Sequence, residues 1–235
     1  MSSSYISVLK SLNVQILLIH KIYLNFYRDF VRQFALYDFL LIHYSLYDRF
    51  LEADSFDTFF QGDPFLHIPS DGLGFSLEEF FLDNGINKEW ILDSLDYFHS
   101  DPAFKKKIYS THIICSGILY GSCKCYIKFI NTFLIPLLEE NDPFLYDGKD
   151  QAYFNYLFVT NSLQKLPFKL YYSQYDGYFS SISMTLMSNG LSIFIDEKYS
   201  KIGNLTFQSS SIKPLVIHQY NRCKQLIKMI KSSCG

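Results

Sequence analysis

The chain has 235 residues, enough for one domain with a sizeable core. Hydrophobic residues make up 49% and charged residues 19%, which excludes a disordered polymer. The net charge of −2 provides no global field for nucleic acid.

Along the chain, Val14 to Ile19 is an apolar run too short to span a bilayer. No stretch of about 18 apolar residues occurs anywhere, so no transmembrane helix is encoded. Lys21 to His43 repeats Tyr23, Phe26, Tyr27, Phe30, Phe34, Tyr37 and Leu41 at steps of three and four. That spacing predicts an amphipathic helix, with Asn25, Arg28, Asp29, Arg32 and Gln33 largely on the opposite, solvent side. Tyr47 to Ala53 predicts a short strand that ends in the acidic segment Asp54-Ser55-Phe56-Asp57. Gly62 to Pro64 marks a turn. Residues 66–76, with Pro69, Asp71, Gly72 and Gly74, read as loop.

A helix is expected from Asn87 to Phe98, with Asn87 as N-cap. Ile113 to Leu119 predicts a strand broken at Ser116-Gly117. Gly121-Ser122 opens a further helix, which Pro136 should kink or end. Asp147 is a cap for a helix carrying Asp150, Gln151, Phe154 and Asn155. Residues 167–219 are strand-rich, with Phe168 to Tyr172 and Leu215 to Gln219 the clearest runs. Arg222 to Lys231 carries Leu226, Ile227 and Ile230 at helical spacing, as an amphipathic terminal helix does. Helices alternate with strands over the first two thirds, so the class is α/β, in one domain spanning residues 1–235.

Five cysteines, Cys115, Cys123, Cys125, Cys223 and Cys234, are an odd number and argue against a disulfide framework. His112, Cys115, Cys123 and Cys125 match no common zinc spacing, so buried free thiols are the expectation. Asn204 to Thr206 is a glycosylation sequon, relevant in a secretory compartment.

The acidic segment 54–57 carries the most chemistry. Carboxylates at a strand's end hold hard divalent cations such as Mg²⁺ and Mn²⁺, and an imidazole often supplements the set for Mn²⁺. Such a cation neutralises a departing diphosphate as a Lewis acid. Open α/β sheets bind ligands beyond the carboxyl ends of their strands, where this segment would lie.

The stretch Tyr47-Asp48-Arg49-Phe50-Leu51-Glu52-Ala53-Asp54-Ser55-Phe56-Asp57-Thr58-Phe59-Phe60-Gln61-Gly62-Asp63-Pro64-Phe65 resembles a eukaryotic glycosyltransferase-like family of nucleotide-diphospho-sugar transferases. The resemblance continues in Asn87 to Ile91 and in Ile114-Cys115-Ser116-Gly117 with Gly121. It continues again in Asp150 to Leu157 and in Val216-Ile217-His218-Gln219-Tyr220-Asn221-Arg222. Together these motifs span roughly residues 47–222. Phe56 stands where the family commonly has Arg, and Asn221 where it has Asp.

The resemblance implies a GT-A-like fold with a mixed central sheet, and the short stretch before the first helix leaves its first N-terminal strand unaccounted for. It implies a metal-dependent transferase that moves a hexose from a UDP- or GDP-sugar to a glycan, protein or lipid acceptor. Asp57 takes the place of the last acid of the family's DxD motif. Asp54 is the second acid, and His218 completes the Mn²⁺ or Mg²⁺ shell. Ser116 and Gly117 would border the donor sugar. Gln151 and Asn155 would meet substrate, and Asp150 would bear on the reaction centre. A non-catalytic, shortened member that binds carbohydrate or a partner is the alternative. Location in the Golgi or another secretory lumen follows from the resemblance; a complete chain without an anchor would be cytosolic.

Overall fold

The computed structural model describes residues 28–55, 57–80, 102–147, 149–173, 177–181 and 214–219. It also describes the short stretches 7, 10–11, 14–16, 25–26, 91–92, 193–196, 204–207 and 227. Helix α1 runs Arg28–His43 and leads into β1, Arg49–Ala53. β2 is Thr58–Phe60, followed by a 3-10 turn, Pro64–Leu66, capped by Asp63, whose carboxylate accepts from the Phe65 N–H. β3 is Gly72–Phe80, α2 is Pro102–Tyr109 and β4 is His112–Ser122. α3 (Cys123–Glu139), the single-turn α4 (Phe144–Asp147) and α5 (Asp150–Val159) follow. The last third holds β5 (Lys169–Ser173), β6 (Phe179–Ser181), β7 (Ile193–Asp196), β8 (Asn204–Phe207) and β9 (Val216–His218).

The architecture is α/β with mixed sheets. One sheet has the order β1-β4-β3-β5, with β4 antiparallel to β1 and β3, and β5 parallel to β3. A second sheet, β2-β9-β6, pairs β9 antiparallel to β2 and parallel to β6. β7 and β8 form an antiparallel pair.

Why β3 is a strand is instructive, because Gly72 and Gly74 lie inside it rather than in the expected loop. A Cβ at Gly72 would strike the Lys169 backbone, and one at Gly74 would fall on the Tyr120 ring. Both glycines therefore serve close approach between elements, which is a role glycine plays within strands. β4 is likewise continuous through Ser116-Gly117, where a break was expected. Its pairing with β3 jumps between Leu119↔Phe75 and Cys115↔Ser76, so Ser116, Gly117 and Ile118 form a bulge instead.

The main core is aromatic. Phe75 lies fully buried among Phe129 and Phe154, with ring centroids 6.1 and 6.3 Å away in edge-to-face contact. α3 buries Cys123, Tyr126, Phe129, Ile130, Phe133 and Leu134, one stripe at helical spacing. That stripe carries the helix through Pro136 to Glu139, a turn further than the proline alone predicts. Asp147 ends α4 rather than capping α5, whose N-cap is Lys149.

Residues 14–16 adopt no regular structure, and Val14 and Ile16 are exposed, so this part of the early apolar run is not a strand. The expected helix at 87–98 lies outside the described residues except for Ile91 and Leu92, which are helical. The expected C-terminal helix also lies outside them, apart from helical Ile227. Among the described residues, no helix is long and apolar enough to cross a membrane.

Replacing Phe75 by Ala should cost about 3–5 kcal/mol, the transfer term plus the cavity left beside Phe129 and Phe154. Urea unfolding monitored by circular dichroism measures it, and a change below about 1 kcal/mol would mean this cluster is not the core.

Candidate metal centre

Three strand ends meet at one point. Asp54 follows β1, Asp57 precedes β2, and His218 closes β9. Pairing of Thr58 with His218 brings the third element to the first two. The backbone N–H of Asp54 donates to Gly117 O at 3.0 Å, extending the β1–β4 ladder by one residue.

The ligand atoms of Asp54, Asp57 and His218 all lie within 4.8 Å of one another. His218 Nε2 is 3.3 Å from Asp54 Oδ2 and 3.4 Å from Asp57 Oδ1. The imidazole is buried, while the side chains of Asp54 and Asp57 are 43% and 20% exposed, so the group opens toward solvent on its carboxylate side. Asp57 Oδ1 is buried and makes no hydrogen bond, and the His218 ring nitrogen lies 3.4 Å from it. A buried carboxylate oxygen with only such a long contact is costly, and a cation would meet it. Two carboxylates and one imidazole form a set suited to a hard or borderline divalent cation. This group could therefore hold a metal ion.

Burial lowers the His218 pKa, but Cys115, Asp54 and Asp57 outweigh it and hold the imidazole well above its ordinary value. Burial raises the Asp54 pKa, yet His218 and Arg32 outweigh it and bring the carboxyl below its usual range. Gln219, directly after His218, sits at φ 63°, a left-handed conformation uncommon for a non-glycine residue. Its amide donates to Glu78 Oε1 at 3.2 Å, which ties down the residue following the histidine.

Gly117 makes room for this arrangement. A Cβ there would lie only 2.2 and 2.4 Å from Cε1 and Nε2 of His218 and 2.9 Å from Asp54 Oδ2. Ser116 is buried, and its carbonyl accepts a 2.8 Å bond from Arg32 Nη2.

Arg32 was expected on the solvent side of α1, and Gln33 with it. Both point inward. The Arg32 guanidinium pairs with Asp54, with Asp150 at 2.7 Å and with Glu52 at 3.1 Å. Gln33 is fully buried and donates to Glu52 at 2.9 Å and Asp150 at 3.3 Å, while Tyr126 donates to its side-chain oxygen at 3.0 Å. Glu52 Oε2 and Asp150 Oδ1 remain buried and unpartnered. Burial pushes the Glu52 pKa up to about 7, against the pull of Arg32. Arg32, Gln33 and Glu52 were not among the site residues expected from sequence; for Glu52 the signal was a charged residue at the inward position of an apolar strand.

Asp150 thus sits beside the metal group, one guanidinium away, and is 1% exposed. Gln151 donates to Ile114 O at 3.2 Å. Asn155 uses both ends of its amide on Ile114, accepting from its N–H and donating to its carbonyl, each at 2.9 Å. These two amides hold α5 against β4. Cys115 and Cys123 are buried free thiols and Cys125 is a half-buried one, as expected. His112 turns away to Glu78 O at 2.8 Å, so it does not join Cys115 in a zinc set.

No protein-family model and no curated protein sequence matches this chain.

Two outcomes follow from the geometry. Gly117→Ala should displace the imidazole and weaken Mn²⁺ binding by about tenfold or more, the scale on which disturbing a ligand's orientation acts. Electron paramagnetic resonance of free Mn²⁺ measures this, and unchanged affinity would show that His218 is not a donor. Arg32→Ala should destabilise the protein by about 2–4 kcal/mol. That is discounted from the cost of breaking a fully buried pair, because the side chain is 27% exposed. Urea unfolding without added metal checks this, and a loss under about 0.5 kcal/mol would contradict the role of Arg32 as the cluster's counter-charge.

Proposed function

We propose that this chain is a metal-dependent glycosyltransferase that transfers a hexose from a nucleotide-diphospho-sugar to a glycan, protein or lipid acceptor. The observation that carries the reading is the meeting of Asp54, Asp57 and His218, with Asp54 and His218 separated by 164 positions in sequence. These are the residues that the motif resemblance assigns to Mn²⁺ or Mg²⁺, and the buried Asp57 Oδ1, which makes no hydrogen bond, fits a cation donor.

In this reading Asp54, Asp57 and His218 hold the cation, which supplies charge neutralisation to a departing UDP or GDP diphosphate. Gly117 keeps the backbone low beside the cation, so the donor can approach β4. Ser116 borders the same surface. Asp150 keeps a buried, unpartnered Oδ1 beside the cluster and would bear on the reaction centre. Arg32 and Gln33 fix the other oxygen of Asp150 and so orient it. Gln151 and Asn155 contribute by holding α5 and β4 in register. A secretory lumen, the Golgi above all, is the compartment this activity implies.

A second reading, a non-catalytic carbohydrate-binding or partner protein of the same kind, is favoured by one observation. Asp54 and Asp150 are already engaged by Arg32, an arrangement that holds a site together but leaves little freedom for chemistry at Asp150.

Hydrolysis of UDP- and GDP-hexoses with Mn²⁺ separates the two. The catalytic reading expects metal-dependent release of nucleotide, abolished in Asp57→Ala with the fold retained. Nucleotide binding without any turnover would favour the second reading. Neither binding nor turnover would sink both.

A further inference from the structure

Behind the carboxylate-facing edge of His218 lies a second set of groups that the cation donors do not use. His218 Nε2 faces Asp54 and Asp57. Nδ1 points the opposite way, between β4 and β6, where Ser181 Oγ lies at 2.8 Å and Cys115 Sγ at 3.3 Å. Ser181 is fully buried and Cys115 is 2% exposed. The parallel pairing of β6 with β9 sets Ser181 opposite His218, so the strand register itself supplies this partner.

A neutral imidazole carries one N–H. To offer the Nε2 lone pair to a cation, it must carry that proton on Nδ1, and a buried Nδ1–H needs an acceptor. The serine oxygen is a good acceptor at a normal hydrogen-bond distance, whereas thiol sulfur is a weak one. Gly117 closes the other side, because its missing Cβ leaves room for the Cε1–Nε2 edge of the ring beside β4. We infer that Ser181 is the positioning residue that fixes His218 as the Nδ1–H tautomer and so directs Nε2 at the cation, with Cys115 a packing neighbour. This rests on the reading of Asp54, Asp57 and His218 as cation donors.

Titration of the full chain with Mn²⁺, followed by the resonance of the free ion, tests it. Ser181→Ala should bind Mn²⁺ about 10- to 100-fold more weakly than the unaltered protein, the usual effect of losing a partner behind a ligating histidine. Cys115→Ala should stay within about threefold of the unaltered protein. Equal binding by Ser181→Ala overturns the inference while leaving the cation reading standing, and so does a loss confined to Cys115→Ala. An unaltered protein that binds no Mn²⁺ overturns the cation reading, and this inference with it. Should Ser181→Ala fail to fold, ¹⁵N resonances of His218 in the Mg²⁺-saturated, unaltered protein decide the matter. The Nδ1–H pattern is expected, and an Nε2–H pattern overturns the inference.

Discussion

One guanidinium ties four elements of this fold together. Arg32 leaves α1 and reaches Glu52 at the inner end of β1, Asp54 just beyond it, Asp150 at the start of α5 and the Ser116 carbonyl in β4. Three carboxylates this close repel one another, and each is expensive to bury alone. Arginine's planar fork, with five donors in fixed directions, can meet several of them at once, which a lysine cannot. The strand ends are thereby held together, and Asp57 and His218 complete the cluster from the second sheet. Even so, charge is not balanced locally. Oxygens of Glu52, Asp57 and Asp150 stay buried without hydrogen bonds, so the cluster as a whole favours an added cation.

The backbone serves the same end. The bulge at Ser116 to Ile118 lets β4 turn Gly117 beneath the His218 ring while it keeps pairing with β1 and β3. Glycine is required there by space, since any side chain would occupy the imidazole's place. Gln219 accepts a left-handed backbone immediately after the histidine. Irregularity thus concentrates within a few residues of the candidate donors, where local strain is most often found in proteins with a built site.

Much of this was legible in the sequence. Asp54, Asp57 and His218 were named from motif order, and the structure brings them together. The strand at Ile113, the helix after Ser122 and the closing strand at Val216 were read from periodicity and turn residues. What escaped did so for physical reasons. Arg32 and Gln33 lie on a polar stripe, and periodicity cannot tell a stripe facing water from one facing buried carboxylates. Gly72 and Gly74 signalled a loop, yet they mark places where a neighbouring backbone and a tyrosine ring leave no room for a Cβ. Ser181 meets His218 only through strand pairing between distant segments, which no local pattern encodes. The 18% of aromatic residues proved mainly structural among those described, filling the core around Phe75 and Phe129.

The central claim is that Asp54, Asp57 and His218 share one divalent cation. Anomalous diffraction from a crystal of the chain soaked in Mn²⁺ tests it most directly. The account predicts a Mn²⁺ peak within ligand distance of all three side chains, with the buried Asp57 Oδ1 among the donors. A crystal with ordered, unchanged side chains and no peak at this position, or with its strong peak elsewhere on the protein, would contradict it.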